Sequence, residues 1–195
     1  MLELAVSETR ASFRTWTTDV ATVVVGKAVD IEREVDVAFC RSRGIDVLRR
    51  ESGGRSVWIG PGTLQYAFAL PYRLSSELDG ISSAKRFCNR LLLAALELDS
   101  SVVEDPSGDL VVESRKAAGL AMRRLRTALL LHGTILVDAD LALIDRALKH
   151  PEREPDYRRG RPHRDFLTNL PRFDSLAVEP RVQASLSGLV ETAEI

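Results

Sequence analysis

Residues 49–54, Arg-Arg-Glu-Ser-Gly-Gly, put two guanidinium groups directly ahead of a glycine pair. Glycine needs no clearance for a Cβ and tolerates positive φ, so the N–H groups at Gly53 and Gly54 can turn toward an anion, with the Ser52 hydroxyl beside them. On an extended strand Arg49 and Arg50 point to opposite faces. One of them could grip a phosphate or carboxylate through two parallel hydrogen bonds. The same residues also fit a tight β-turn flanked by solvated arginines. No Gly-Lys-Ser/Thr follows, which excludes a Walker phosphate loop.

Lys116 is the second candidate. Ala117, Ala118 and Gly119 follow it and leave room for a ligand near its ammonium, although a lysine beside Arg115 also fits a solvated pair. The third is His132-Gly133-Thr134, which interrupts an apolar run over residues 127–137. A histidine there is either a hydrogen-bonded core residue or a catalyst. Asp109 closes the turn Pro106-Ser107-Gly108-Asp109.

These groups must be held by a framework of strands and helices. Apolar spacing predicts a short helix over 2–14, a buried strand at Ala21–Val25, an amphipathic helix over 32–43 ended by Gly44, and a strand at Ile45–Leu48. Val57–Phe68 predicts a hairpin turning at Gly60-Pro61-Gly62. A loop at 71–82 leads to the most strongly amphipathic helix, Ala84–Leu98. Short strands are expected at Val102–Glu104, Leu110–Val112 and Gly119–Met122, then a long one at 127–137 with both faces covered. Helices follow at Asp140–Lys149, capped by Asp140, at Phe166–Leu170 and from Pro180 to about Val190. Strands clustered as hairpins predict an α+β fold with a mixed, largely antiparallel sheet flanked by helices.

The 195 residues suit a single domain, 1–195, with a hydrophobic fraction of 45%, a charged fraction of 28% and a net charge of -1. That balance gives no electrostatic case for nucleic acid or a membrane surface. The two cysteines lack metal-ligand spacing, the start MLELAVSETR is not a secretory signal, and apolar runs such as Ala128–Leu131 are too short to span a bilayer. The expected setting is a reducing cytoplasm. The arginine-dense stretch 150–165 predicts a solvated loop with local ion pairs, with docking of an acidic domain or closure over a nucleotide as the functional options.

Taken in order, TVVVGKAVDIEREV, LRRESGGRSVWIGPGTLQYAF, RKAAGLAMR and LLLHGTILVDADL resemble the lipoate–protein ligase branch of the family that also holds biotin–protein ligases and octanoyltransferases. The resemblance runs from about residue 3 to about residue 150. It implies the catalytic fold shared with class II aminoacyl-tRNA synthetases and biotin ligases. It also implies activation of lipoate with ATP and Mg2+, then transfer of lipoyl from the adenylate to a lysine of a lipoyl carrier domain. Carried over, Lys116 is the catalytic cation. Arg50, Ser52, Gly53, Gly54, Asp109, Gly119, His132, Gly133 and Thr134 line the acyl-adenylate and ATP site, and Asp109 is the metal ligand. Leu64, Tyr66, Phe68 and the apolar strand around Gly133 are expected to shape the acyl tunnel. Arg55 stands where the family has a third glycine, and Gly108 where it has an asparagine. No accessory domain is expected within the chain, which points to a separate accessory subunit. Two other readings stay open. One is an octanoyl or lipoyl transferase between carriers, which in relatives uses a cysteine nucleophile. The other is a non-catalytic homologue that binds lipoyl domains.

Overall fold

A computed structural model describes residue 5 and residues 10–193. Two sheets face each other across the site. The larger is six-stranded in the order β1-β5-β9-β8-β7-β6. Its strands are β1 (Ser12–Trp16), β5 (Thr63–Pro71), β6 (Val102–Glu104), β7 (Leu110–Val112), β8 (Arg115–Arg124) and β9 (Ala128–Leu136). Every neighbouring pair in it is antiparallel. The smaller sheet orders β3 (Asp46–Arg49), β2 (Thr22–Val25) and β4 (Val57–Ile59), with β2 parallel to β3 and antiparallel to β4. The mixed, largely antiparallel α+β expectation holds.

Strand alternation gives the large sheet two different faces. Phe13, Tyr66, Phe68, Leu129 and Leu131 point into the main core. There they meet Phe87 and Leu92 of the long helix Ile81–Leu96, and Val178, Val182 and Leu186 of the C-terminal helix Ser175–Ala193. The opposite face meets the small sheet. A second core of Val23, Val25, Trp58 and Leu136 continues there into Ile144 and Phe166.

In chain order the α-helices are α1 (Ile31–Glu34), α2 (Val37–Ser42), α3 (Ile81–Leu96), α4 (Leu141–Ala147), α5 (His163–Phe166) and α6 (Ser175–Ala193). Asp140 caps α4 as expected, accepting from the Leu143 N–H at 2.9 Å. Among the described residues, no helix is long and apolar enough to cross a membrane.

Several local expectations give way to tertiary pairing. The single helix over 32–43 is two helices. Val35 is extended and bridges Leu148, and the Asp36 side chain then caps α2 through the Phe39 N–H at 2.9 Å. The hairpin over 57–68 does not form, because β4 joins the small sheet and β5 the large one. Both sides of β5 are taken by β1 and β9, which leaves no free edge for β4. Gly60–Gly62 is therefore a corner between sheets. The Gly62 carbonyl accepts from Val137 and Asp138 N–H groups at 2.9 Å, and at φ +76 a Cβ on Gly62 would lie 2.0 Å from the Asp138 carbonyl oxygen.

The expected N-terminal helix falls mostly outside the described residues, and its last part is strand β1. The helix expected at 166–170 lies earlier, at α5, since Leu167 is drawn into a bridge with Lys116. The C-terminal helix begins at Ser175 and carries Pro180 inside it.

Candidate functional site

The floor of the site is a register row across the large sheet. Trp16 pairs with Gln65, Gln65 with Thr134, and Thr134 with Gly119. In the adjacent row His132 lies between Ala67 and Ala121. A cavity of about 220 Å³ stands on this floor, roofed by Val57, Trp58 and Ile59 of β4 and by residues of the 149–167 segment. Of the residues expected at the site, Arg50, Lys116, Gly119, His132, Gly133 and Thr134 line it. Ser52, Gly53 and Gly54 form the loop behind Arg50, and Asp109 stands behind Lys116.

The arginine pair builds the loops. Arg49 Nη1 donates to the carbonyls of Gly26, Lys27 and Val29 at 2.7, 3.0 and 2.9 Å. Arg50 turns the other way. It donates to Ser52 Oγ at 3.0 Å and to the Val24, Gly53 and Arg55 carbonyls at 3.0, 2.7 and 2.8 Å. Burial pulls the Arg50 guanidinium below its ordinary pKa, partly opposed by Glu34. Alternation thus separates the two side chains as expected, and each stiffens one loop. Gly26 makes the close approach possible, because a Cβ there would lie 1.9 Å from the Gly54 carbonyl oxygen. Arg55, in the third-glycine position, ion-pairs with the buried Glu34 at 2.5 Å. Glu34 also accepts from the Ser56 N–H and hydroxyl at 2.8 Å.

At the polar end, Lys116 Nζ donates to Asp109 Oδ1 at 2.8 Å, and the Tyr157 hydroxyl donates to Asp109 Oδ2 at 2.9 Å. Lys116 lies across Gly119, where a Cβ would stand 2.6 Å from its Cε and Nζ. Burial and the Asp109 charge raise the Tyr157 pKa, so its hydroxyl stays a donor.

His132 Nε2 is 2.7 Å from Ser52 Oγ. Burial, aided by the Arg50 charge, holds the His132 pKa down at about 4. Burial and Arg158 do the same to His163, which also lines the cavity. Both rings are neutral near pH 7. The unfolded chain protonates its histidines near 6.5. Between about pH 6.5 and 4 the unfolded state therefore binds more protons, and stability falls as pH falls through that window. At pH 5 each histidine accounts for roughly 1–2 kcal/mol of that loss. Urea denaturation should show the gap between wild type and the variant His132→Gln/His163→Gln narrowing from pH 7 to pH 5. A gap that stays constant would rule these rings out as the source.

The 150–165 segment is more packed than a solvated loop. Arg158 is buried, donates to the Arg161 carbonyl at 2.9 Å and lies 4.7 Å over the Phe166 ring. Arg161 approaches the same ring at 5.5 Å. The expected local ion pairing is present too, with Glu154 Oε2 3.4 Å from Arg158 Nε, and this carboxylate, the π face of Phe166 and the backbone carbonyls compensate for desolvating the guanidinium groups.

One correction concerns the acyl tunnel, of which the strand around Gly133 does line the cavity. Leu64, Tyr66 and Phe68 belong to the main core, on the face of β5 turned away from the cavity. Gln65, one residue out of phase with them, lines it instead. A glutamine inside the apolar run Leu64–Leu70 was the available signal. Glu34 and Tyr157 had none, since each reaches the site only through contacts distant in sequence.

Among the described residues, no group of three or more His, Cys, Asp or Glu side chains could hold a metal ion. Asp109, the carboxylate expected to hold magnesium, has both oxygens engaged, Oδ1 by the Lys116 ammonium and Oδ2 by the Tyr157 hydroxyl, and so does not offer the ion a free ligand.

The α+β domain thus holds a cavity between its two sheets, with Lys116 in its lining and Asp109 paired to that lysine. The family described as lipoyl protein ligase A/B catalytic domain matches residues 2–186, and the chain belongs to it. It is 26% identical over 184 residues to lipoate-protein ligase A subunit 1 of Thermoplasma acidophilum, covering 89% of this chain and 69% of that one. It is 31% identical over 153 residues to octanoyltransferase LipM of Staphylococcus aureus, covering 66% and 54%. The fold matches a structure from a study of an archaeal lipoylation system, a bi-partite lipoate protein ligase and its E2 lipoyl domain from Thermoplasma acidophilum, with TM-score 0.74, 23% identity, and 93% and 72% of the two chains covered. It also matches lipoate-protein ligase A bound with ATP, with TM-score 0.71, 22% identity, and 93% and 73% covered.

Proposed function

We propose that this chain is the catalytic part of a lipoate–protein ligase, joining lipoate to ATP as lipoyl-adenylate and passing the lipoyl group to a carrier-domain lysine. The observation that carries the reading is a lysine at the polar end of an apolar cavity that no thiol lines. Cys40 and Cys88 are the only cysteines of the chain, both are buried, and neither reaches the cavity. Burial raises the pKa of both thiols, which opposes formation of a nucleophilic thiolate.

In this reading the Arg50-stiffened loop and Lys116 face the charge that develops at the acyl carbonyl and α-phosphate. Asp109 orders the Lys116 ammonium in this reading, and the Tyr157 hydroxyl holds its second oxygen. The names of the Thermoplasma proteins, a subunit 1 and a bi-partite ligase, support an assembly in which one catalytic domain, residues 1–195, works with a separate accessory subunit. The LipM similarity supports the alternative, acyl transfer between carriers.

Lipoate-dependent exchange of pyrophosphate into ATP tests the choice, run with and without candidate accessory subunits. The variant Cys40→Ser/Cys88→Ser should keep both exchange and carrier modification. Absence of exchange together with an acyl-thioester trapped on either cysteine would replace the ligase by the transferase.

A further inference from the structure

We propose that Tyr157 is a positioning residue, whose hydroxyl fixes the Asp109 carboxylate and through it the Lys116 ammonium, so that the placement of the lysine depends on the docked segment 156–168. The inference rests on the ligase reading above and adds a residue that acts on its chemistry through a neighbour.

Lysine carries its charge on a flexible stem, and 29% of the Lys116 side chain is exposed, so the cavity walls alone do not hold it. Its end is fixed by the ion pair from Nζ to Asp109 Oδ1 at 2.8 Å. That pair is only as rigid as the carboxylate. The Asp109 backbone is set by its turn: the Asp105 N–H donates to the Asp109 carbonyl at 2.9 Å, and the Gly108 carbonyl accepts from Asn89 Nδ2 at 3.0 Å. The carboxylate plane could still rotate, which would exchange or break the contact with Lys116. The Tyr157 hydroxyl prevents this by donating to Oδ2 at 2.9 Å. An ammonium has three donors, so the pair with Asp109 leaves two of them for ligand oxygens in the cavity that Lys116 lines.

Tyr157 is itself tied to the hairpin that carries the lysine. Strands β7 and β8 are joined by Glu113-Ser114, with φ +49 and +61, the conformation that a tight two-residue hairpin turn requires. Its tip presents the Ser114 carbonyl. Arg161 Nη2 donates to that carbonyl at 2.7 Å and to the Tyr157 carbonyl at 2.7 Å. The Tyr157 ring packs 5.2 Å from the Phe166 ring. Further on, the Thr168 N–H donates to the Lys116 carbonyl at 2.9 Å. The segment therefore grips the hairpin region at Asp109, Ser114 and Lys116. Of these contacts, the one at Asp109 bears on the ammonium.

The test is the rate of carrier modification from preformed lipoyl-adenylate, measured on the full chain. Tyr157→Phe keeps the ring on Phe166 and removes only the hydroxyl. It should lower kcat about tenfold or more, approaching the roughly 10²-fold cost of misplacing a reacting group by an ångström, and leave KM for the adenylate nearly unchanged. In an Asp109→Ala background, where the hydroxyl has no carboxylate to hold, the same substitution should cost nothing further. A kcat that Tyr157→Phe leaves unchanged overturns the proposal. So does a rise in KM alone, which would make Tyr157 an anchor of the roof, and so does a loss that persists in full in Asp109→Ala. Where Asp109→Ala fails to fold, the split between kcat and KM for Tyr157→Phe decides. In all of these outcomes transfer by the wild type keeps the ligase reading. Absence of transfer by the wild type overturns that reading and this inference with it.

Discussion

Replacing Lys116 by alanine is expected to lower carrier modification from preformed lipoyl-adenylate by about 10²- to 10³-fold or more, the range for removing a preorganised group aimed at developing charge. Lys116 is the cation lying over Gly119, and its ammonium is fixed by Asp109 at 2.8 Å. A water replacing it would have to reorganise as charge develops, whereas the ammonium is already placed. The substitution should leave the fold intact. The Lys116 carbonyl still accepts from the Thr168 N–H at 2.9 Å, and Asp109 keeps the Tyr157 hydroxyl. Intact-mass measurement of a lipoyl domain over time gives the rate, and thermal melting gives the fold. Near-normal turnover by a well-folded Lys116→Ala protein would remove this residue from the chemistry. Lys116→Met, which keeps most of the chain's length, should be as inactive as alanine if the charge is what matters.

Gly26→Ala is expected to be nearly as damaging, by a different route. The new Cβ would meet the Gly54 carbonyl oxygen at 1.9 Å and its carbon at 3.0 Å, both backbone atoms that no rotamer change can move. Both loops are tied. Arg49 holds the Gly26 carbonyl, Arg50 holds the Gly53 and Arg55 carbonyls, and the Lys27 N–H donates to the Ser52 carbonyl at 3.0 Å. One loop must shift by roughly an ångström, and misplacement of that size costs on the order of 10²-fold in rate. Overpacking adds about 1–3 kcal/mol of destabilisation. Gly188→Ala is the comparison, since a Cβ there meets nothing within 4 Å and Gly188 lies within helix α6. It should leave activity unchanged. Equal activity and melting temperature for the Gly26 and Gly188 variants would show that the loop contact is not limiting.

Much of this was legible in the residues alone. The α+β class followed from short apolar strands alternating with turn residues, because local periodicity reports which face of an element is covered. The order of the arginine-glycine, lysine and histidine-glycine segments pointed to the family and to the residues around the cavity. Asp140 as a helix cap and Gly44 as a helix end were equally local and equally clear.

What the sequence could not decide depends on partners distant along the chain. Val57–Phe68 carries every local mark of a hairpin, but β5 is paired on both sides, with β1 and β9, and has no edge left for β4. An alternating pattern identifies two faces and does not say which one meets the ligand. Leu64, Tyr66 and Phe68 fit a tunnel by pattern alone, and it is helices α3 and α6 that cover them. A one-residue phase difference sends a side chain to the opposite face of a sheet. That geometry makes Gln65 the floor of the cavity, as it makes Arg49 and Arg50 the braces of two separate loops. The residue types were sufficient for the chemistry available to the chain. Only the pairing of strands into two facing sheets, with the segment around Tyr157 and Arg158 laid against them, brought those residues to one place.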